Sequence, residues 1–439
     1  MPNLSQDPGP KNRFFWNPKI SIVILLAGFF MLGSCRWGIE MEACYRLQDG
    51  DWRGVLKTEG GDLPFLFEIK RKAGPQRSKP AERTFLVRLQ DGGDWVESEA
   101  EVRGDSLYWS FPVFESVLVA AVSSLGDSLR GSWYKTKYDT SVTAVPVVAC
   151  RGGRYKFAAL SSRLPDEAGG LWKVDLGPGT PALMPLTQQG PELSGTLRTP
   201  YGDYRYLSGI MDGDSLWMSG MDGGSAYLLR GRLQADGSLV GLLFSAKGPG
   251  RPWTAVRDSQ AVLPDPYGLA ALRNSDLPLN LTLPDVTGKA TVRVGITESG
   301  KPAKATVIQM LGTWCPNCLD ETEYLAGIYP SLAAQGVQII GLGFERTLQA
   351  SKAIQNLQKL KERYGVTYPL VHAGTPDSQV IARTIPQLVR LKAFPTTLLL
   401  DRTGRIRFVH TGFDGPATGS AFDRQKALFL RKIQNLLAE

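Results

Sequence analysis

Three patterns of apolar and polar positions divide this chain. Residues 20–32 form one uncharged apolar run. Residues 45 to about 258 show no helical period. Short segments such as 63–70, 83–90, 203–210 and 227–233 lie between Gly-Asp and Asp-Gly pairs, which predicts strands joined by tight turns. Beyond about residue 291 the pattern changes again. Runs at 305–311 and 337–343 predict buried strands. Stretches 319–334, 349–364 and 422–437 predict helices. Short strands at 397–400 and 406–410 are split by a turn containing Gly404. Strand, helix, strand, helix, strand, strand, helix is an α/β sandwich order. Between the two regions, residues 259–290 carry Pro264, Pro266, Pro278 and Pro284 with little periodicity and read as a linker.

The strand-rich region repeats itself. Gly104-Asp-Ser-Leu-Tyr-Trp-Ser110 matches Gly213-Asp-Ser-Leu-Trp-Met-Ser219, and Asp127-Ser-Leu-Arg-Gly131 matches Gly237-Ser-Leu-Val-Gly241, at offsets of 109 and 110 residues. The pattern predicts two copies of an all-β unit, residues 35–155 and 156–258, with about eight strands each. A barrel or sandwich suits such a unit because closure removes exposed strand edges. Whether the copies form two barrels or one shared sheet is not legible.

The N-terminus is an address. Lys11, Arg13 and Lys19 precede the apolar run, which is too short to cross ~30 Å of hydrocarbon comfortably. Leu32-Gly33-Ser34-Cys35 follows and resembles the lipobox of bacterial lipoproteins. That resemblance implies a signal peptide over residues 1–34 and lipid on Cys35. Each buried methylene contributes ~0.8 kcal/mol, so several acyl chains anchor firmly. An uncleaved anchor helix and a plain signal peptide are the alternatives. All three export the chain to an oxidising compartment, where disulfides persist.

Composition adds exclusions. The chain has 439 residues, a formal charge of +8, 43% hydrophobic and 21% charged residues, so each unit can bury a core. No Arg/Lys stripe of the kind that tracks nucleic acid is present. Gly-Asp-Ser-Leu occurs three times, at Gly104, Gly126 and Gly213, and resembles the nucleophile block of an esterase family. That chemistry needs a histidine with an aspartate three residues before it. The two histidines, His372 and His410, have Pro369 and Arg407 there. Turn formation explains the motif instead.

Five cysteines remain: Cys35, Cys44, Cys150, Cys315 and Cys318. Cys44 and Cys150 bracket the first β copy. A disulfide between them would close a loop of about a hundred residues and contribute up to ~4.7 kcal/mol in the chain-entropy picture. Cys315 and Cys318 stand where a strand gives way to a helix. Free N–H groups at a helix start lower a thiol pKa from ~8.5 toward ~7, and two intervening residues let the sulfurs close an intramolecular disulfide. Cys315 is expected to be the exposed nucleophile and Cys318 the resolving thiol, with Trp314 shielding the site. Zinc would need two further ligands at workable spacing, and none is apparent. No phosphate-binding loop or other cofactor signature is present.

Trp314-Cys-Pro-Asn-Cys318, Phe394-Pro395-Thr396-Thr397 before a strand, and the segment His410-Thr-Gly-Phe-Asp-Gly-Pro-Ala-Thr-Gly419 resemble the thioredoxin superfamily. The nearer likeness is its envelope-anchored, TlpA/ResA-like reductase branch, including Bacteroidetes-type lipoproteins. It covers about residues 280–439, with the domain proper at 291–439. The resemblance implies a cis bond at Pro395 facing the cysteines, and a proton-transfer role for Glu321. It also implies reduction of disulfide-bearing envelope proteins, re-reduction by a membrane electron donor, and a periplasm-facing, lipid-anchored position. The Pro316-Asn317 dipeptide departs from the commoner Gly-Pro and Glu-Pro of that branch. An alternative reading makes the β-rich region a ligand- or partner-binding module served by an oxidase, isomerase or redox-sensing thioredoxin domain.

Overall fold

A computed structural model describes residues 46–439 apart from 73–83, 93, 112, 137–140, 161, 178–179 and 275. The proposed signal segment, Cys35 and Cys44 lie outside the described residues.

The first β copy is a closed eight-stranded meander: β1 (Gly50–Thr58), β2 (Gly61–Arg71), β3 (Thr84–Asp91), β4 (Asp94–Arg103), β5 (Ser106–Phe111), β6 (Ser116–Val122), β7 (Ser128–Thr136) and β8 (Val142–Arg151). Each strand pairs antiparallel with the next, and β8 returns to β1 with Val55 opposite Val148. Alternation in β5 and β6 sends Leu107, Trp109, Leu118 and Ala120 inward. The lumen is therefore filled by side chains, as in small barrels.

The second copy closes as well. Its strands are β9 (Gly170–Asp175), β10 (Pro181–Gln189), β11 (Glu192–Gly195), β12 (Arg198–Thr199), β13 (Gly202–Asp203), β14 (Leu207–Asp212), β15 (Ser215–Met221), β16 (Ala226–Leu233), β17 (Leu239–Ser245) and β18 (Arg251–Arg257). Eight of them form a ring, because β18 pairs with β9, β9 with β10 and β10 with β11. The short β12–β13 hairpin hangs from β10 outside the ring. The repeated motifs fall on the fifth and seventh ring strands of both barrels. Gly104 and Gly213 both take positive φ, 63° and 60°, at equivalent turns. Trp52 and Trp172 fill matching places on the first strands, fully buried, each indole N–H donating to the carbonyl four residues earlier. That equivalence escaped the sequence comparison because the copies differ in loop length.

Gly131 and Gly241 mark the same close strand crossing. A Cβ on Gly131 would lie 1.9 Å from the Val119 carbonyl oxygen, and one on Gly241 2.0 Å from that of Arg230. Gly131→Ala is expected to lower stability by about 1–3 kcal/mol through overpacking, read as a reduced denaturant midpoint.

The barrels are joined. Met221, Ala226, Leu228 and Phe244 of the second complete the apolar core of the first, and the Ser219 hydroxyl donates to the Pro64 carbonyl at 2.6 Å. Cys150 is a free, exposed thiol at the end of β8. Its expected partner Cys44 lies outside the described residues; within them, the β1–β8 ladder joins the two ends of the copy.

The C-terminal domain is thioredoxin-like. Its strands are β19 (Thr282–Pro284), β20 (Thr291–Arg293), β21 (Ala305–Leu311), β22 (Val337–Phe344), β23 (Leu370–Gly374), β24 (Thr396–Asp401) and β25 (Ile406–Thr411). Its helices are α1 (Pro316–Ala334), α2 (Ala350–Arg363), α3 (Ser378–Thr384) and α4 (Ser420–Ala438). The main sheet runs β23-β22-β21-β24-β25, with β21, β22 and β23 parallel and the last two antiparallel. Both faces are apolar, as a central sheet covered on both sides demands. Val307, Leu311 and Ile339 meet Leu319, Leu325, Leu357, Phe429 and Ile433 on one face. Ile308, Met310, Ile340 and Leu342 meet Ile381 and Ile385 on the other. The expected linker is more ordered than its prolines suggested. Leu279 is buried in this second core, β19 pairs with β20, and Tyr267 stacks edge-on to His410 at 4.8 Å. Among the described residues, no helix is long and apolar enough to cross a membrane.

Candidate active site

Strand β21 delivers the chain to Cys315, which is the N-cap of α1, and Pro316 occupies the first helical turn. Proline suits that place because its missing N–H would have had no helical partner. The Cys318 N–H points at Cys315 Sγ at 3.4 Å. That N–H is one of the helix-start donors without a partner earlier in the helix. The Cys315 thiol lies 3.5 Å from the Phe394 carbonyl oxygen, and the Phe394–Pro395 bond is cis. Both cysteines are free thiols. Cys318 is fully buried, and burial pushes its pKa upward.

Glu321 lies one turn beyond Cys318, on the same helix face. It is buried, and the Thr397 hydroxyl donates to its Oε1 at 2.7 Å. Oε2 has no hydrogen-bond partner. Burial pushes this carboxyl up to about 7, against the lowering effect of Thr397. A carboxyl that titrates near neutrality can both accept and donate a proton at working pH.

The sequence reading missed a second set of buried polar groups. Gln309, inside the apolar run of β21, donates to the Cys318 carbonyl at 3.1 Å and accepts from Thr322 at 3.1 Å, tying the first turn of α1 to the sheet. Glu345, just past β22, accepts from the Thr313 N–H at 2.8 Å and the Thr313 hydroxyl at 2.7 Å. Burial pushes it up to about 7 despite those bonds. Trp314 donates to the Phe344 carbonyl at 3.0 Å and meets Phe394 edge-on, and the Arg346 guanidinium lies 4.1 Å from its ring centre. The end of β22 thus grips the residues before Cys315. The available signal was a Gln within an otherwise apolar strand and a Glu at the end of one, since buried polar groups persist when partnered.

One expectation is corrected. Cys315 is not an exposed nucleophile; it is 6% exposed. Val113, beside Phe114, on the loop between β5 and β6, joins the apolar cluster that holds Cys315. From the second barrel, the β12–β13 hairpin packs on the 412–415 loop. A Cβ on Gly412 would lie 2.7 Å from the Tyr201 carbonyl carbon, and one on Gly202 would lie 2.9 Å from Asn317 Nδ2. Three contacts fasten this side. Arg198 and Asp414 pair at 2.7 Å, Arg205 and Asp320 at 2.5 Å, and the Gly415 N–H donates to Asp203 Oδ2 at 2.5 Å, while Asp222 of the same barrel holds Arg205 at 3.7 Å. Burial, then the nearby Asp320 charge, pushes Asp203 up to about 7.

A dithiol at a helix start, beside a cis-proline on this mixed sheet, defines the class of thioredoxin-like thiol–disulfide oxidoreductases. Residues 279–425 match the Redoxin family. The chain is 30% identical over 150 residues to the thiol:disulfide interchange protein DsbE of Pasteurella multocida, covering 34% of this chain and 71% of that one. It is 30% identical over 109 residues to the thiol-disulfide oxidoreductase ResA of Geobacillus thermodenitrificans, covering 25% and 55%. The match thus spans about half the length of that relative. A thioredoxin family protein of Chlorobium tepidum superposes with a TM-score of 0.28 at 21% identity, over 36% of this chain and 94% of that chain. The chain belongs to the ResA/DsbE family of thiol–disulfide oxidoreductases through its C-terminal domain.

Proposed function

We propose that this protein reduces disulfides of cell-envelope proteins, held at a membrane by lipid on Cys35. Cys315 Sγ attacks one sulfur of the substrate disulfide, and the other sulfur leaves as a thiolate that takes up a proton. Cys318 gives its proton to Glu321 and attacks Cys315 Sγ. The substrate leaves as a dithiol and Cys315–Cys318 becomes a disulfide. A membrane-bound thiol donor returns the two electrons. In this scheme Pro395 flanks the attacking sulfur and Trp314 screens it from water.

The observation that carries the exchange chemistry is the pairing of Cys315 at the helix start with a fully buried Cys318 one turn on, and the reductive direction is what the resemblance to the envelope reductase branch implies. Strong oxidants owe their potential to a stabilised reduced form. A reductase has the opposite balance, with the Cys315–Cys318 disulfide the favoured form. Equilibration with glutathione or dithiothreitol, read by mass, tests this. A potential near or below ~−270 mV supports a reductase, and one near ~−120 mV reverses the assignment to disulfide formation. The names of the relatives fit either direction.

A further inference from the structure

Glu321 Oε2, Tyr267 Oη and His410 Nε2 are buried, and none has a partner among the described residues. They come from separate elements. Glu321 stands on α1, His410 on β25, and Tyr267 on a short helical turn, Pro266–Gly268, ahead of the domain. The fold gathers them. The Thr397 hydroxyl donates to Glu321 Oε1, and Thr397 stands opposite His410 in the β24–β25 ladder. Tyr267 meets the His410 ring edge-on, with centroids 4.8 Å apart, and packs against the apolar cluster that holds Cys318. Buried polar atoms left without a protein partner are completed by ordered water.

Tyr267 precedes residues 279–425, so the family match does not supply it. Asp265 caps its turn by accepting from the Tyr267 N–H at 3.0 Å, and Lys432 of α4 lies 4.5 Å from its ring centre. The chain neighbours Pro266 and Thr411 both line a cleft of about 440 Å³ between the second barrel, this segment and the domain. Thr411 Oγ1 and Gln425 Nε2, in two residues of the cleft wall, are also buried without a protein partner. Such atoms therefore recur from Glu321 to the cleft.

We infer that ordered water bridges Glu321, Tyr267 and His410 and carries protons between Glu321 and this cleft, which makes Tyr267 and His410 positioning residues of the resolving step. The inference rests on the proton-acceptor role proposed for Glu321. In each turnover the Cys318 sulfur bonds to Cys315 Sγ. The substrate sulfur leaves with the electron pair of the broken bond, and the Cys318 proton passes to Glu321. A buried carboxyl is ready for the next cycle only when that proton reaches solvent. The titratable groups facing Glu321 are Cys318 and Tyr324 on its own helix, Tyr267, and Tyr368 ahead of β23. Burial raises all four, and the Glu321 charge adds to the rise. Asp265 and Asp414 face His410, which burial holds down at about 4, so the ring binds water while neutral.

The test is a pH jump on the full, reduced chain with 5,5′-dithiobis(2-nitrobenzoate). Release of the second chromophore reads the resolving step. Protein held at about pH 5.5 and protein held at about pH 8, either side of the Glu321 value of about 7, are each mixed to a final pH of about 8. In wild type the two starts are expected to agree within ~2-fold. Tyr267→Phe keeps the ring and removes Oη. Its acid start is expected to run ~10-fold or more slower than its alkaline start, because Glu321 sheds its proton late. His410→Leu, the second variant, is expected to lag in the same way. A purely structural role would slow both starts equally. Equal starts in both variants, or a wild-type lag as large as theirs, overturns the inference. Glu321→Gln separates it from the proposed chemistry. If Glu321→Gln resolves as fast as wild type, proton acceptance by Glu321 falls. If it is slow while neither variant depends on the starting pH, only the water path falls.

Discussion

Cys315→Ala abolishes disulfide exchange, and Cys318→Ser stops it one step later with the substrate still attached. The first change removes the only thiol at the helix start and leaves Cys318, a fully buried sulfur whose pKa burial raises. A thiol needs both access and a thiolate to attack, and Cys318 alone has neither. The loss against a protein disulfide is therefore expected to reach background, on the order of 10³-fold or more, since nucleophile and resolving thiol act as one unit. In Cys318→Ser the attack still occurs, but the hydroxyl cannot displace the substrate. Intact-mass analysis after mixing with an oxidised protein should find a stable adduct on Cys315. An adduct on the Cys315→Ala protein, or equal turnover by both variants, would reverse the two roles.

Glu321→Gln slows the resolving step and flattens the pH dependence of stability. As the nearest proton acceptor proposed for Cys318, Glu321 is worth about 10²–10⁴-fold if it acts as a general base. The mixed disulfide should then accumulate in a variant that is otherwise folded. A residue with a purely structural role would not move that intermediate. Stability supplies the second readout. The Glu321 carboxyl titrates at about 7 in the fold against an ordinary value of 4.5. Its contribution is fully present below pH 4.5 and is lost as pH rises through 7, on the order of 3 kcal/mol by the shift. Glu345 and Asp203 act in the same direction, both pushed up to about 7. His410 works the other way. Burial lowers it to about 4, so its contribution is present above 6.5 and is lost as pH falls through 4. The denaturant midpoint of the wild type should peak on the mildly acidic side and decline toward pH 8. Glu321→Gln should decline less over the same range. An unchanged slope would mean that Glu321 is ionised in the fold, and its role as a neutral-pH proton carrier would fail with it.

The duplication of the barrels explains why chemistry and scaffold separate so cleanly. The lumens are packed with Trp52, Phe65, Trp109 and Leu107 in one barrel and Trp172, Leu216 and Met218 in the other. Their outer loops, not their lumens, reach the C-terminal domain. A ligand-binding role for the lumens, one of the readings open from sequence, is disfavoured by that packing. The copies differ where function would be added: the second barrel alone carries β12 and β13.

Local chemistry was written into the chain. Alternation of apolar positions in β5, β6 and β7, with turns at Gly104 and Gly213, determines strands and their facing, because a strand's side chains alternate whatever its neighbours do. A Cys-Pro-Asn-Cys run after an apolar strand determines a dithiol at a helix start, because proline and the free N–H groups fix that geometry within one turn. The motif-level likeness also placed Glu321 and Pro395 beside the sulfurs. What the tertiary structure alone decided involves partners far apart in sequence. Closure of two separate rings depended on β8 reaching β1 and β10 reaching β11. The grip of Glu345 on Thr313 joins the ends of two parallel strands. Val113 of the first barrel joins the apolar cluster that holds Cys315, and the hairpin is locked through Arg198–Asp414 and Arg205–Asp320. No local pattern encodes those meetings. They arise from packing between units whose relative placement is set by the sum of many weak contacts, and so the access to the nucleophile became visible only in the folded molecule.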